Sequence, residues 1–376
     1  MCINPPPTDR SRGGPRSTGP AGLIAAAVVL AVLLAIAAFG PSACLSREDV
    51  ASSPTATEGG LGTPAPAPAA QSTRPSTGIS PSATLTPRAT YTPVPTPGPA
   101  HPLAVVVENF VDARPQSGLA AADIVYEALV EGGITRFLAI YIDGRAEAVG
   151  PIRSARHYFA YLAAEHDATF VHIGSSPQGY AALDATGVVN LDETYGDPGF
   201  WRAKTRYAPH NAYTSTDLLR PTLEKVRKPT PDPWAGFAFR TDSSPIEGPE
   251  ARELTIGYAT DYSAKYAYAP ESKLYRRYMD GLPHRDQETD EQVAPRNLVV
   301  QFVGAWVIDG EGRLDMAQVG QGKALFFRDG VLTEGRWHKP SLGSVTRWYD
   351  SEGKPLLFNP GKIWVQIVPP GTRLDY

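Results

Sequence analysis

An unbroken run of 17 apolar residues near the N-terminus, Leu23–Phe39, constrains this chain more than any other feature. As a helix it would be about 26 Å long, close to the ~30 Å hydrocarbon core of a membrane. Three arginines precede it: Arg10, Arg12 and Arg16. Because basic residues stay on the cytoplasmic side, we predict a cytoplasmic n-region over residues 1–20 and a signal or transmembrane segment over residues 21–43. The rest of the chain is then extracytoplasmic, tethered to a bacterial cell membrane.

The N-terminal segment can anchor the protein to the membrane in two ways. Pro41-Ser42-Ala43-Cys44 resembles a bacterial lipobox, in which a cysteine after small residues carries the lipid. Pro41 departs from that motif, which has an aliphatic residue three positions before the cysteine. Lipidation at Cys44 and an uncleaved signal anchor both leave the protein on the outer face of the membrane.

A low-complexity segment follows the apolar run. Residues 51–100 contain 27 Pro, Thr or Ser residues and only three charged ones. Such a composition has too few large apolar side chains to offset the entropy lost on ordering. We therefore predict a disordered stalk over residues 44–101.

The remainder of the chain is free of cysteine and mildly acidic. Both cysteines, Cys2 and Cys44, lie at the N-terminal end, so no disulfide framework, thiolate zinc site or cysteine nucleophile can follow them. From residue 101 onward there are 29 Lys and Arg against 35 Asp and Glu, without a long basic run. This balance argues against nucleic acid as a partner.

Two regions of different pattern follow. An α/β domain is predicted over residues 102–240, where an apolar strand, Leu103–Glu108, precedes an amphipathic helix pattern, Ser154–Glu165. A mostly antiparallel β domain is predicted over residues 250–372, where turn signals separate short aromatic and β-branched runs. Its clearest hairpin turn is Asp329-Gly330, and the region forms either an open sheet or a small barrel.

Two arginines stand where the Ser154–Glu165 helix pattern begins. Arg153 and Arg156 are predicted to lie in the first turn of that helix, where the helix dipole disfavours cations by ~0.3–1 kcal/mol each. Such a placement suits an anion held beside free backbone N–H groups. The alternative is ion pairing with three carboxylates of the same domain, Asp123, Glu127 and Glu131.

Further polar residues extend this candidate anion pocket. His172 ends an apolar strand beside a Gly-Ser-Ser turn, at a strand end of the kind that binds ligands in open α/β sheets. A structural role for His172, and a helix-capping role for His210 and Asn211, are the alternatives. The complete candidate pocket comprises Arg136, Arg153, Arg156, His172, Arg202, His210 and Asn211.

The same group of carboxylates also suggests a metal site. Asp123 and Glu127 carry hard oxygen ligands that suit a divalent cation shared with a phosphorylated ligand. Solvated or arginine-paired carboxylates are the alternative, and no cofactor is firmly implied.

The segment that carries these carboxylates has two possible structures. The acidic residues recur every four positions, which is typical of a helix over Leu119–Glu131. The β-rich segments on either side of Gly132-Gly133 instead favour a hairpin of Ile124–Glu131 with Ile134–Ile142.

Several motifs carry a family resemblance. They are Arg114-Pro115-Gln116-Ser117-Gly118, Ala122-Asp123-Ile124-Val125-Tyr126-Glu127, Glu131-Gly132-Gly133-Ile134-Thr135-Arg136-Phe137, Gly150-Pro151-Ile152-Arg153-Ser154-Ala155-Arg156, Pro209-His210-Asn211-Ala212-Tyr213, Phe327-Arg328-Asp329-Gly330, Gly335-Arg336-Trp337-x-Lys339 and Asn359-Pro360-Gly361-x-x-Trp364. In this order, over residues 103–370, they resemble the YerB-type family of bacterial lipoproteins. The resemblance implies an extracytoplasmic protein with two domains of unknown function, and it implies no reaction.

Two functions from different classes follow. The first is a binding module for an anionic envelope component or a surface protein, since standard catalytic motifs are absent. The second is an envelope enzyme acting on a phosphorylated or lipid-linked substrate. Thr135-Arg136, Pro151-x-Arg153-Ser154 and His210-Asn211-x-Tyr213 occur in an order similar to that of surface transferases that attach glycopolymers to peptidoglycan. The acidic residue of those enzymes' first motif is absent here.

Overall fold

The described structure begins where the predicted stalk ends. A computed structural model describes residues 101–224, 232–259 and 262–376. The predicted n-region, signal or transmembrane segment, lipidation site at Cys44 and nearly all of the stalk lie outside these residues. Within them, no helix is both long enough and apolar enough to cross a membrane.

Short apolar runs separated by turn residues make the described part mostly β. The strands are β1 (Leu103–Glu108), β2 (Ile124–Leu129), β3 (Thr135–Tyr141), β4 (Thr169–His172), β5 (Asn190–Asp192), β6 (Phe200–Arg202), β7 (Ala212–Thr214), β8 (Ala238–Phe239), β9 (Glu253–Ala259), β10 (Tyr262–Ala269), β11 (Leu274–Met279), β12 (Leu282–Pro283), β13 (Asn297–Phe302), β14 (Ala305–Val307), β15 (Leu314–Met316), β16 (Gly320–Arg328), β17 (Val331–Lys339), β18 (Arg347–Asp350), β19 (Leu357–Phe358), β20 (Ile363–Val368) and β21 (Arg373–Asp375).

Helices are few. The α-helices of the described part are α1 (His157–Glu165), α2 (Pro177–Thr186) and α3 (Thr216–Glu224). Single 3₁₀ turns cover Val111–Ala113, Leu119–Ala121, Glu131–Gly133 and Glu193–Tyr195. All three α-helices fall in the region predicted to be α/β, and the region predicted to be β contains strands alone among the residues described.

One sheet of ten strands runs through both regions. Its order is β18-β17-β16-β13-β20-β2-β3-β1-β4-β5, and the parallel pairing of β20 with β2 joins the C-terminal strands to the N-terminal ones. A second sheet of five strands has the order β12-β11-β10-β9-β21. The ten-stranded sheet takes strands from both of the predicted domains. The predicted domain limits, 102–240 and 250–372, stay a prediction.

The strand period of two divides the core into two layers. Along β1, Ala104 and Val106 join the apolar cluster that contains α1 and α2, whereas Val105 and Val107 join the cluster that contains the five-stranded sheet. All four side chains are completely buried. Helices α1 and α2 therefore cover one face of the ten-stranded sheet, and the five-stranded sheet covers the other, where Leu219 and Leu223 of α3 also pack.

Two hairpin predictions are confirmed. Strands β2 and β3 pair antiparallel on either side of the glycine turn, so the alternative helix over Leu119–Glu131 was wrong. Asp329-Gly330 joins β16 to β17, with Arg328 opposite Val331. In both cases the β-branched and aromatic content of the flanking runs decided the structure.

The predicted start of the first helix was wrong. Helix α1 begins at His157, with Arg156 in an extended conformation as its N-cap, so neither Arg153 nor Arg156 lies in its first turn. The preceding residues are extended because their N–H groups are used elsewhere: Arg153 donates to the carbonyl of Val106 at 3.0 Å, and Ala155 to that of Gly174 at 3.0 Å.

Candidate functional site

Glu108, the last residue of β1, organises the polar residues at this end of the sheet. Its side chain is buried, and it follows five apolar residues of the strand. The Nδ1 of His210 lies 2.8 Å from Oε2, and the Nε of Arg153 lies 3.0 Å from Oε1. The carboxylate can only accept, so His210 Nδ1 donates the hydrogen bond. The structure thus brings two predicted site residues together on a carboxylate that the sequence reasoning missed.

Arg136 lies directly opposite Glu108 in the pairing of β1 with β3. Its side chain is buried, and its Nη1 donates to the carbonyl of Ser154 at 2.7 Å. Among the described residues, no carboxylate forms an ion pair with it. Burial, with the positive charges of Arg156 and Arg153, lowers the pKa of Arg136 to about 10. The charges of Arg153 and Arg156 are therefore close enough to act on Arg136, and the anion pocket itself stays a prediction.

Arg156 follows the alternative prediction of an ion pair. Its Nε and Nη2 donate to the two carboxylate oxygens of Glu131 at 2.6 Å and 2.7 Å. Burial acts to raise the pKa of Glu131, but the hydrogen bonds from Arg156 outweigh it and lower that pKa overall. The charge of Arg156 is thus largely neutralised within the protein.

The other three predicted pocket residues contact different partners. His172 is completely buried in β4, and its Nδ1 donates to the carbonyl of Gly174 at 2.9 Å. Burial lowers the pKa of His172, which favours the neutral ring. Arg202 lies on the surface, where it donates to Glu193 at 2.7 Å and to the Oδ1 of Asn211 at 3.2 Å. None of these three side chains is hydrogen-bonded to Glu108.

The two carboxylates proposed as metal ligands are occupied by protein donors. Asp123 Oδ2 accepts from three successive backbone N–H groups, those of residues 142, 143 and 144, at 2.7–3.0 Å. Glu127 is completely buried and bound by Arg277. In the described part of the chain, no group of three or more His, Cys, Asp or Glu side chains is arranged to hold a metal ion. The metal assignment to Asp123 and Glu127 stays a prediction.

A cleft of about 970 Å³ lies beside the Glu108 group, and His210 forms part of its wall. It is bordered by the segment after β1, the β6–β7 hairpin and the loop before β13. The lining residues are Asp112, Arg114, Ser117, Glu147, Ala148, Trp201, Ala203, Thr205, Arg206, Tyr207, His210, Tyr213, Gln287 and Glu288.

Aromatic rings form one side of the cleft. Trp201 and Tyr213 face each other across β6 and β7, and their rings stack with centroids 6.1 Å apart at 23°. Directly opposed residues of an antiparallel pair place their side chains on the same face, which explains this contact. Tyr207, in the loop between these strands, is 90 % exposed. The hairpin therefore presents three rings to the cleft.

The charged groups of the cleft differ in how far they are neutralised. Arg114 pairs with Asp280 at 2.5 Å, whereas Arg206 donates to the backbone carbonyls of Asp112 and Pro115 at 2.9 Å and 2.7 Å. Among the described residues, Glu147 and the side chain of Asp112 form no ion pair. A third carboxylate, Glu288, accepts from Ser117 at 2.9 Å. The cleft thus has more unpaired carboxylates than unpaired guanidinium groups.

Comparisons with known proteins agree with this architecture. Residues 91–228 match the model of the DUF3048 N-terminal domain, and residues 254–365 match that of its C-terminal domain, both described as protein of unknown function. The chain is 39 % identical over 273 residues to "Putative lipoprotein YerB" of Bacillus subtilis, covering 71 % of this chain and 81 % of that protein. The chain belongs to the YerB-type family.

The YerB-type fold has also been seen in a crystal structure. The structure of YerB from Bacillus subtilis covers 74 % of this chain and 95 % of its own, with a TM-score of 0.65 and 36 % identity. The family resemblance of the motifs is therefore confirmed. The descriptions of YerB-type domains name no ligand and no reaction, so the function has to be argued from the site itself.

Proposed function

We propose that this chain is an extracytoplasmic binding protein that holds an envelope saccharide in the 970 Å³ cleft. The observation that carries this proposal is the stacked pair of Trp201 and Tyr213 in a cleft that also presents carboxylate and guanidinium groups. Sugar rings have apolar C–H faces, which aromatic rings cover. They also have hydroxyl edges, which donate to carboxylates and accept from guanidinium groups.

The proposed location follows from the relative and the N-terminal sequence. The relative's name describes a lipoprotein. In this chain Cys44 follows the 17-residue apolar run and two small residues, an arrangement that matches a lipid-anchored protein except at Pro41, and an uncleaved apolar anchor would give the same location. Attachment at the outer face of a bacterial membrane would place the cleft where envelope polymers are present.

The charges favour a neutral or amine-bearing saccharide over the anionic envelope ligand expected from the sequence. Arg153, Arg156 and Arg202 each pair with a carboxylate of the protein, which leaves little positive charge for a ligand. The unpaired carboxylates of the cleft would also repel an anion. A surface protein is the other ligand class that the sequence suggested.

The alternative of an envelope enzyme with a phosphorylated substrate has one supporting observation. Arg136 is a buried cation with no paired carboxylate in the described structure, and Arg153 and Arg156 lie beside it. Pyrophosphate with Mg²⁺ is the probe for this function. If pyrophosphate stabilises the protein and Arg136→Met removes that effect, the anion function is favoured over saccharide binding.

Isothermal titration calorimetry of the full chain in detergent tests the main proposal, with a hexamer of N-acetylglucosamine as the ligand. We expect Trp201→Ala to weaken binding about tenfold, which corresponds to about 1.4 kcal/mol. The matched control is Trp306→Ala, because Trp306 is half exposed on β14 and does not line the cleft. Absence of binding, or equal losses in the two variants, would contradict saccharide binding at this cleft.

A further inference from the structure

His210 differs from the other histidines in how its ring is held. Its Nδ1 donates to Glu108, whose side chain is buried, and the ring of Phe110 stacks on it with centroids 5.8 Å apart at 11°. These contacts fix both the tautomer and the plane of the imidazole. His210 Nε2 therefore carries the free lone pair, and it makes no hydrogen bond to any described residue.

The carboxylate partner enables the lone pair of His210 Nε2 to accept a proton. When an imidazole takes a proton on Nε2, a carboxylate on Nδ1–H stabilises the cation that forms. Arg153, at 3.0 Å from the second oxygen of Glu108, holds the carboxylate from the other side. His172 offers a contrast, since its ring is completely buried and its Nδ1 donates to the carbonyl of Gly174, with the carboxylate of Asp192 farther away at 3.7 Å. Among the histidines that the structure describes, His210 alone combines a carboxylate partner with a place on the cleft wall.

We propose that His210, positioned by Glu108, is the general base of a hydrolytic site for acyl esters of the saccharide bound in the cleft. This inference rests on the proposed function, because the same cleft has to hold the saccharide. No Ser, Thr or Tyr hydroxyl among the described residues hydrogen-bonds His210, so water is the nucleophile. The cysteine-free sequence after Cys44 excludes a thiol.

The step balances with water as the second reactant. Nε2 of His210 removes a proton from water, and the water oxygen bonds to the carbonyl carbon of the ester. The bond from that carbon to the saccharide oxygen then breaks, and the imidazolium returns its proton to the departing oxygen. The products are a carboxylic acid and a saccharide hydroxyl. The guanidinium of Arg206 in the same cleft supplies positive charge for the transient oxyanion.

Acetate release from an O-acetylated hexamer of N-acetylglucosamine tests the inference, with the full chain in detergent and proton NMR as the readout. We expect His210→Ala and His210→Gln to lower the rate about 100-fold or more. Glutamine can still donate to Glu108 but cannot take up a proton, so it keeps the local fold. Glu108→Gln should lower kcat with little change in KM and alter the pH profile. The control His338→Ala lies on β17, outside the cleft, and should match the wild type.

Calorimetry with the unacetylated hexamer separates this inference from the proposed function. If the hexamer binds but the wild type releases no more acetate than the His210 variants, the hydrolytic inference is wrong and saccharide binding stands. If the hexamer does not bind, saccharide binding fails and the inference fails with it. Shortened saccharides that retain their acetyl groups would overturn ester hydrolysis in favour of glycoside cleavage.

Discussion

Glu127 and Arg277 form an ion pair from which solvent is completely excluded. The Nη2 of Arg277 on β11 lies 3.0 Å and 2.8 Å from the two carboxylate oxygens of Glu127 on β2. The pair therefore joins the five-stranded sheet to the ten-stranded sheet. Burial alone would lower the pKa of Arg277, but the carboxylate of Glu127 raises it overall. Gln366 adds a 2.6 Å hydrogen bond to the same carboxylate.

Removal of one partner of this pair should strongly destabilise the fold. Glu127→Ala leaves the guanidinium of Arg277 buried without its counter-charge, which typically costs about 3–5 kcal/mol. We expect urea unfolding to show a loss of that size in the free energy of unfolding. In Glu127→Ala/Arg277→Met, the unpaired charge is absent, so the loss should be smaller than in the single variant.

The exposed pair of Lys323 and Glu334 provides the control for this experiment. Its atoms are 3.2 Å apart, but both side chains are about half exposed. An exposed pair contributes about 0–1 kcal/mol, so Glu334→Gln should change the free energy of unfolding little. Similar losses at Glu127 and Glu334 would show that the buried pair does not hold the sheets together.

The ion pair of Arg156 with Glu131 should make stability depend on pH in the acid range. The pKa of Glu131 is lowered in the folded protein, so its carboxylate takes up a proton more readily when unfolded. The contribution of the ion pair to the free energy of unfolding is fully present above the pKa of Glu131 in the unfolded chain, ordinarily about 4.3. It is lost as the pH falls through the lower pKa of Glu131 in the folded protein. We expect the difference in the free energy of unfolding between wild type and Glu131→Gln to shrink between pH 7 and pH 3. A constant difference would exclude this linkage.

Gly118 allows a test of the backbone next to the cleft. Its φ is 89°, and a Cβ would lie 2.7 Å from the carbonyl oxygen of Ala148, a cleft-lining residue. Gly118→Ala should therefore cost more than the ~1–2 kcal/mol of the left-handed conformation alone. Gly132 has a φ of 73° with no atom near its Cβ position, so Gly132→Ala should show the conformational cost only. Equal melting temperatures of the two variants would contradict the close approach of residue 118 to the carbonyl oxygen of Ala148.

Local patterns were sufficient to predict two hairpins of this fold. The dipeptides Gly132-Gly133 and Asp329-Gly330 lie between runs with strand composition, and both turns appear in the structure. A turn of this kind depends on a few adjacent residues, so the local sequence is enough to predict it. The start of α1 was less predictable, because the residues before it bond to β1, which is far away in sequence.

The polar contacts of the site could not be predicted in the same way. Glu108 and His210 are 102 residues apart, and Glu127 and Arg277 are 150 residues apart. Nothing in one sequence specifies which distant carboxylate a basic side chain meets, since sheet order decides it. The one usable signal was Glu108 itself, a charged residue that ends the apolar strand LAVVVE.

The carboxylates of the cleft should make it prefer an amine-bearing saccharide. A hexamer of glucosamine differs from a hexamer of N-acetylglucosamine by positive charges in place of acetyl groups. Because Asp112 and Glu147 have no ion-pair partner in the described structure, we expect the glucosamine hexamer to bind several-fold more tightly at low salt. Calorimetry at low and high salt measures this difference, which should shrink as salt screens the charges.

The location of that effect can be tested with a pair of carboxylate variants. Glu147 lines the cleft, so Glu147→Gln should reduce the preference for the amine-bearing hexamer while N-acetylglucosamine binding changes little. Glu352 is an exposed carboxylate outside the cleft, and Glu352→Gln should leave the preference intact. If both variants reduce the preference equally, it reflects the net charge of the protein rather than the cleft. If neither ligand is preferred by the wild type, the carboxylates of the cleft do not contact the saccharide amines.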